Sequence, residues 1–173
     1  MNPTSVTNGR ARSAPQMTTL RRRLILAALV VTALGLLHHL DHVIRGYIVV
    51  DKGLPAEWNH SGWPFLGEVG VFTVSLVVVY GILLGGIALT LRRSAWAGFW
   101  VGAAIVLLAI VVFVHFLGPE AETPSIIWRS HGGGLGGVLA LTDLFALLAA
   151  LIVLCLQAVD VRRRSGRWRD DGR

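Results

Sequence analysis

Val101-Gly102-Ala103-Ala104-Ile105-Val106-Leu107-Leu108-Ala109-Ile110-Val111-Val112-Phe113-Val114 contains no charged side chain and no side-chain hydrogen-bonding group. Widened to Trp96–Leu117, the run adds a single ionisable residue, His115. A bilayer core of about 30 Å is crossed by about 20 residues at 1.5 Å each. In lipid, backbone groups must be satisfied within the segment, so this stretch predicts a transmembrane helix. The strict apolar/polar alternation of a membrane β-barrel strand is missing.

Three more runs of this kind lie around it: Leu24 to about Ile44, Trp63 to Leu91, and about Leu135 to Val159. Of the 173 residues 54% are hydrophobic and 15% charged, with a mean hydropathy of +0.64. Soluble domains are nearer 25% charged, so a disordered chain is excluded and the composition argues strongly against an ordinary soluble enzyme. The single cysteine, Cys155, leaves no disulfide framework and no CxxC metal site. The fold class read from the sequence is all-α: a polytopic four-transmembrane-helix bundle over residues 21–161. A polar tail (1–20), expected to be disordered, precedes it, and a basic tail (162–173) follows.

The net charge of +6 would invite a nucleic-acid partner, but the positions of the arginines decide against one. Thirteen of the 16 Lys and Arg residues precede span 1, join spans 2 and 3, or follow span 4; Arg45, Lys52 and Arg129 lie on the other side. The positive-inside rule then predicts a multi-pass protein of the cytoplasmic (inner) cell membrane with both termini in the cytoplasm. Trp63, Trp96, Trp100 and Trp128 are expected near span ends as an aromatic belt. Two GxxxG spacings, Gly81–Gly85 and Gly98–Gly102, are expected to pack helices closely. The glycine run Gly132–Gly134 has no Gly-Lys-Ser/Thr ending and is not a P-loop; a lid or a close backbone approach is expected there.

All six histidines, with the carboxylates of the spans, fall on the extracytoplasmic half. Counting from the inner edges, His38 lies about 21 Å and His42 about 27 Å up span 1, His115 about 28 Å up span 3 and Asp143 about 25 Å up span 4. Glu68 falls near the outer start of span 2. Residues 38, 41, 42 and 45 share one helical face, while His39 points roughly 100° away. Two histidines at i, i+4 can ligate one metal, so His38 and His42 are candidate ligands. Asp41 is a candidate ligand or orienting group, and Glu68 and His115 are candidates to complete the site. Such a mixed set suits iron, copper, zinc or manganese. Ionisable groups inside spans cost about 2.5–3.5 kcal/mol at the bilayer centre on insertion scales, which weighs against a merely interfacial role.

The segment His38-His39-Leu40-Asp41-His42-Val43-Ile44-Arg45-Gly46, followed by His60-Ser61-Gly62-Trp63-Pro64-Phe65, resembles small four-span membrane proteins of high-GC bacteria. The resemblance covers most of residues 24–160 and implies the same topology, with no activity attached. The histidine boxes of membrane desaturases and hydroxylases are several and cytoplasmic, unlike this single outer cluster, and their di-iron site is not carried over.

The leading functional reading is a metal-dependent membrane protein, an oxidoreductase acting on a lipid, an isoprenoid or another small apolar molecule. A second is a metal-free acid–base isomerase or cyclase of an isoprenoid-like substrate, using Asp143, Glu68 and Asp41 as catalytic carboxyls. A third is ligation of haem b between His38 or His42 and His115. A fourth is an accessory subunit whose polar layer meets a partner in a larger membrane complex. The lipid bilayer is a partner in all four, and a homo-oligomer is compatible with each.

Overall fold

Helix α1 runs from Asn8–Asp51, and its buried positions show how the bundle is assembled. Leu20, Leu24, Ala28, Val31, His38, His42, Arg45 and Val49 are all buried. Their mutual offsets of three, four and seven residues trace one stripe along the rod. The stripe is aliphatic in its first half and turns polar in its second, so the same face that builds the core also carries the site.

The computed structural model describes residues 8–58, 71–92, 97–118 and 122–170, with side chains for 18–58, 72–92, 97–118 and 122–164. After α1 come a 3₁₀ turn (Ala56–Trp58), α2 (Val71–Arg92) and α3 (Ala97–Val112). Helix α3 runs on into a π-helical turn (Phe113–Leu117), and a short α4 (Pro124–Ser130) and a long α5 (Gly134–Asp170) complete the chain. Among the described residues there is no strand. The all-α four-span fold is therefore what the chain adopts: Thr18–Asp51, Phe72–Arg92, Ala97–Leu117 and Gly134–Arg164 are each long and apolar enough to cross a membrane. The two 21-residue spans measure about 31 Å, close to the hydrocarbon thickness.

Helix α5 answers α1 with a matching stripe of Ala140, Leu144, Leu147, Leu151, Leu154, Ala158 and Val161, all buried. The two rods run antiparallel, and Leu20 and Leu24 share a core cluster with Ala158 and Val161. The N-terminal part of α1 and the C-terminal part of α5 thus lie together, and the opposite end of the bundle is its far end. Helix α3 lays Ala103, Ala104 and Leu107 into the same cluster. The outer surface is apolar too, with Val77 71% and Leu135 74% exposed, as a bundle solvated by lipid rather than water requires.

Several boundaries and packing details differ from the sequence expectation. Helix α1 continues through Asp51 rather than ending near Ile44, which places His38–Arg45 inside a continuous helix. Helix α1 begins at Asn8 and α5 reaches Asp170, so helix extends into both stretches read as tails. Helix α2 begins at Val71; Trp63, Glu68 and Trp96 lie outside the described residues. Trp100 is not in an aromatic belt: it is fully buried, and its Nε1 donates to Thr90 Oγ1 at 2.8 Å. A buried indole N–H needs such a partner. The GxxxG glycines do not pack either, because a Cβ at Gly81, Gly85, Gly98 or Gly102 would meet nothing within 4 Å. Close approach falls instead on Gly86, where a Cβ would come within 2.8 Å of Trp100 Cη2.

Candidate metal centre

Three helical features bring three imidazoles together at the far end. His38 and His42 are one turn apart on the α1 stripe, which aims both rings at α3. His115 sits in the π-helical turn that ends α3; the wider turn, closed by Gly118 N donating to Phe113 O at 2.7 Å, resets the direction of the side chains that follow. Such π-turns recur at functional sites. All three histidines are buried, at 6%, 7% and 1% exposure.

His38 Nε2 lies 3.0 Å from His115 Nε2 and 3.2 Å from His42 Nε2. One nitrogen of each ring lies within 4.8 Å of the others. Three nitrogens bound at 2.0–2.1 Å to a tetrahedral ion are separated by about 3.3 Å; both contacts of His38 match that spacing, while the 4.8 Å that bounds the whole trio exceeds it. The His38–His115 pair does not fit haem b. Two axial nitrogens on one iron stand about 4 Å apart, twice a metal–nitrogen bond, and rings 4.9 Å apart between centroids leave no slot for a macrocycle.

The outer nitrogens of the rings face carboxylates, a carbonyl and a guanidinium. His115 Nδ1 donates to the backbone oxygen of Glu122 at 3.0 Å, which leaves its Nε2 as a lone pair facing the other two rings. His42 Nδ1 lies 3.2 Å from the Glu122 carboxylate, and Arg45 Nη2 is 3.1 Å from the same nitrogen. With a cation at the centre, His42 would carry its proton on Nδ1 toward Glu122 and present its Nε2 lone pair, and Arg45, which only donates, would give up its contact with Nδ1. His38 Nδ1 lies 3.6 Å from Asp143 Oδ2, an ion-pair distance too long for a hydrogen bond. Carboxylates and carbonyls behind imidazoles fix the tautomer and raise the basicity of metal ligands.

Glu122 escaped the sequence reading. It is 1% exposed and immediately precedes Thr123, the N-cap of α4, whose Oγ1 accepts from Ile126 N. Its own N–H donates to Val114 O at 3.0 Å, tying the connection back onto α3. The only sequence signal was an acidic residue a few positions after His115. Arg45, 1% exposed, bridges Glu122 and Asp41 with Nη1 2.5 Å from Glu122 Oε2 and Nε 2.7 Å from Asp41 Oδ2.

Of the remaining sequence candidates, Asp143 reaches the trio through His38, whereas Asp41 stands apart from it. Both Asp41 oxygens are engaged, one by Arg45 and the other by His131 Nε2 at 2.8 Å. His131 reaches Asp41 from a corner built on glycine: Gly132, Gly133 and Gly134 have φ of +68°, +73° and +62°, a region other residues seldom enter. The glycine run is therefore a turn between α4 and α5. Glu68 lies outside the described residues. His39, expected to point elsewhere, donates from Nδ1 to Gly35 O at 2.7 Å, and the same nitrogen meets the Tyr80 hydroxyl of α2 at 2.9 Å.

Below the trio, a cavity of about 370 Å³ runs between α1, α2, α3 and α5. His38, His39, His42 and His115 line it at the far end, and Val31, Leu83, Leu107 and Leu151 line it deeper in. That volume lies within the 300–1,000 Å³ of small-molecule sites. The chain is thus a membrane-spanning helical bundle with a buried trio of histidines able to hold a metal ion. None of the family models, curated proteins or solved structures compared with it matches.

Proposed function

We propose that the chain is an integral-membrane metalloprotein in which His38, His42 and His115 bind one transition-metal ion through Nε2, and that this centre acts on an apolar molecule seated in the cavity. What carries this function is the convergence of three Nε2 atoms at 3.0 and 3.2 Å from rings whose other nitrogens face Glu122 and Asp143. Electrostatics favours a cation there. Glu122 and Asp143 set two carboxylates behind the rings, and the one guanidinium of Arg45 is shared between Glu122 and Asp41. Carboxylates in a low-dielectric layer favour a cation beside them.

Three protein ligands leave a coordination position open, the arrangement of catalytic rather than structural sites. The histidines line the cavity, so a bound molecule meets the ion there. Iron or copper would make the centre an oxidoreductase; zinc would make it a Lewis acid polarising an oxygen of the substrate. The site belongs to the outer side of the cytoplasmic membrane, on the arginine distribution, and the resemblance to four-span proteins of high-GC bacteria is compatible with that setting.

The test is elemental analysis of detergent-purified protein and of His38→Ala/His42→Ala, together with a visible spectrum. One equivalent of iron, copper, zinc or manganese, lost in the double variant while the helical content persists, is the expected result. Metal-free wild-type protein that gains none on incubation with these ions overturns the proposal, and a Soret band would reinstate haem.

A further inference from the structure

The cavity is polar mainly at one end. Histidine nitrogens stand at the far end with Phe72 and Ser75, whose hydroxyl is turned to Phe72 O, and the rest of the lining from His38 down to Val31 is aliphatic. Seven helical residues separate those two levels, about 10 Å. A hydrocarbon chain advances about 1.25 Å per carbon (a 1.5 Å bond projected on the chain axis), so this depth takes about eight carbons. Ile110 lines the cavity and is 43% exposed, which puts the way in along α3.

The head of such a chain has two points of attachment. One is the trio. The other is His39, whose ring centroid is 6.2 Å from that of His38 and 6.4 Å from that of His42. Because His39 Nδ1 donates to a carbonyl, its Nε2 is an acceptor, and an O–H placed between the rings can donate to it while its oxygen lone pair faces the trio. The Tyr80 hydroxyl at 2.9 Å and the edge-on Tyr80 ring, 5.4 Å away between centroids, hold His39 in place.

We infer that the cavity binds a single-chain alcohol of the surrounding leaflet, its hydroxyl between the trio and His39 and its first eight or so carbons packed against Val31, Leu83, Leu107 and Leu151. A lipid in that leaflet already has its head toward the far end and its tail toward the bilayer centre, so it slides in past Ile110 without turning over. This assignment takes the trio as a metal centre and adds the class of molecule that meets it.

The experiment is photo-crosslinking in lipid nanodiscs with decan-1-ol carrying a mid-chain diazirine, the labelled residues mapped by mass spectrometry and the metal content read on the same samples. Labelling of α1 near Val31 and of α5 near Leu151 is expected, competed at least tenfold better by decan-1-ol than by undecane. Val31→Phe, which fills the deep end, should cut labelling at least tenfold with metal content unchanged. Tyr80→Phe, which frees His39, should reduce the preference for alcohol over alkane about threefold or more. Metal-loaded protein labelled only on lipid-facing positions, or competed equally by undecane, overturns the alcohol site and leaves the metal centre standing. Cavity labelling in protein that binds no metal upholds the alcohol site and removes the metal centre.

Discussion

Glu122 holds His115 through its main chain and His42 through its carboxylate. Its backbone oxygen accepts from His115 Nδ1 at 3.0 Å, and its Oε2 lies 3.2 Å from His42 Nδ1. One residue in a connection between helices therefore orients imidazoles on α1 and α3, and it does so only because Thr123 caps α4 directly behind it.

Glu122→Gln keeps the backbone acceptor for His115 and removes the charge behind His42. Loss of an outer-shell partner of this kind lowers metal affinity about 10–100-fold. Chelator competition on the purified variant should show a drop in that range. Asp143→Asn should have a smaller effect, because its carboxylate is 3.6 Å from His38 Nδ1. Equal affinity in wild type and Glu122→Gln would remove Glu122 from the site.

Asp41→Asn should retain stoichiometric metal, since both Asp41 oxygens are turned to Arg45 and His131. Metal analysis of this variant separates an ion-pair role from direct ligation. Loss of the ion comparable to that in His42→Ala would restore Asp41 as a ligand.

Arg45 is buried against two carboxylates. Arg45→Met leaves Glu122 without its cation and should cost about 3–5 kcal/mol, the usual effect of breaking a buried pair from one side. Arg164 and Asp160 form a pair with side chains 54% and 45% exposed, so Arg164→Met should cost less than about 1 kcal/mol. Thermal unfolding in one detergent compares the two, and similar losses would show that the Arg45 network contributes little to stability.

Gly86→Ala puts a Cβ within 2.8 Å of Trp100 Cη2 in a fully buried contact and should destabilise the bundle by about 1–3 kcal/mol. At Gly85, one position earlier, the same substitution meets open space and should be neutral or gain up to about 1 kcal/mol of helix propensity. The order of melting temperatures, Gly86→Ala below wild type and Gly85→Ala at or above it, is the readout.

The side of the membrane can be read with a membrane-impermeant maleimide in a Cys155→Ser background. Lys52→Cys, exposed beyond the far end of α1, should label in intact cells. Arg162→Cys, in the C-terminal part of α5, should label only after permeabilisation. The reverse pattern would place the histidines on the cytoplasmic side.

Local periodicity made His38 and His42 legible as a pair, because a 3.6-residue turn stacks i and i+4 whatever surrounds the helix. Depth along each span brought His115 and Asp143 to the same layer, since the rise per residue is constant. Neither rule carries information about azimuth between helices. Asp41 shares the His38–His42 face by spacing, yet it meets His131 and Arg45 instead of the trio. Gly86 takes the packing role that the GxxxG pattern assigned elsewhere.

By itself, the sequence determined that the chain has four helices able to cross a membrane and that its histidines gather toward one end of them, because hydrocarbon thickness and backbone satisfaction require helices of that length. Only the tertiary structure decided that His38, His42 and His115 share one centre. Only there does Glu122, a connecting residue with no periodic signature, fold back to orient two of them, and His39, in contact with Tyr80, line the cavity below. These relationships depend on how helices rotate against one another and on a π-turn and a capped connection at the end of α3, which are set by packing between segments distant in sequence.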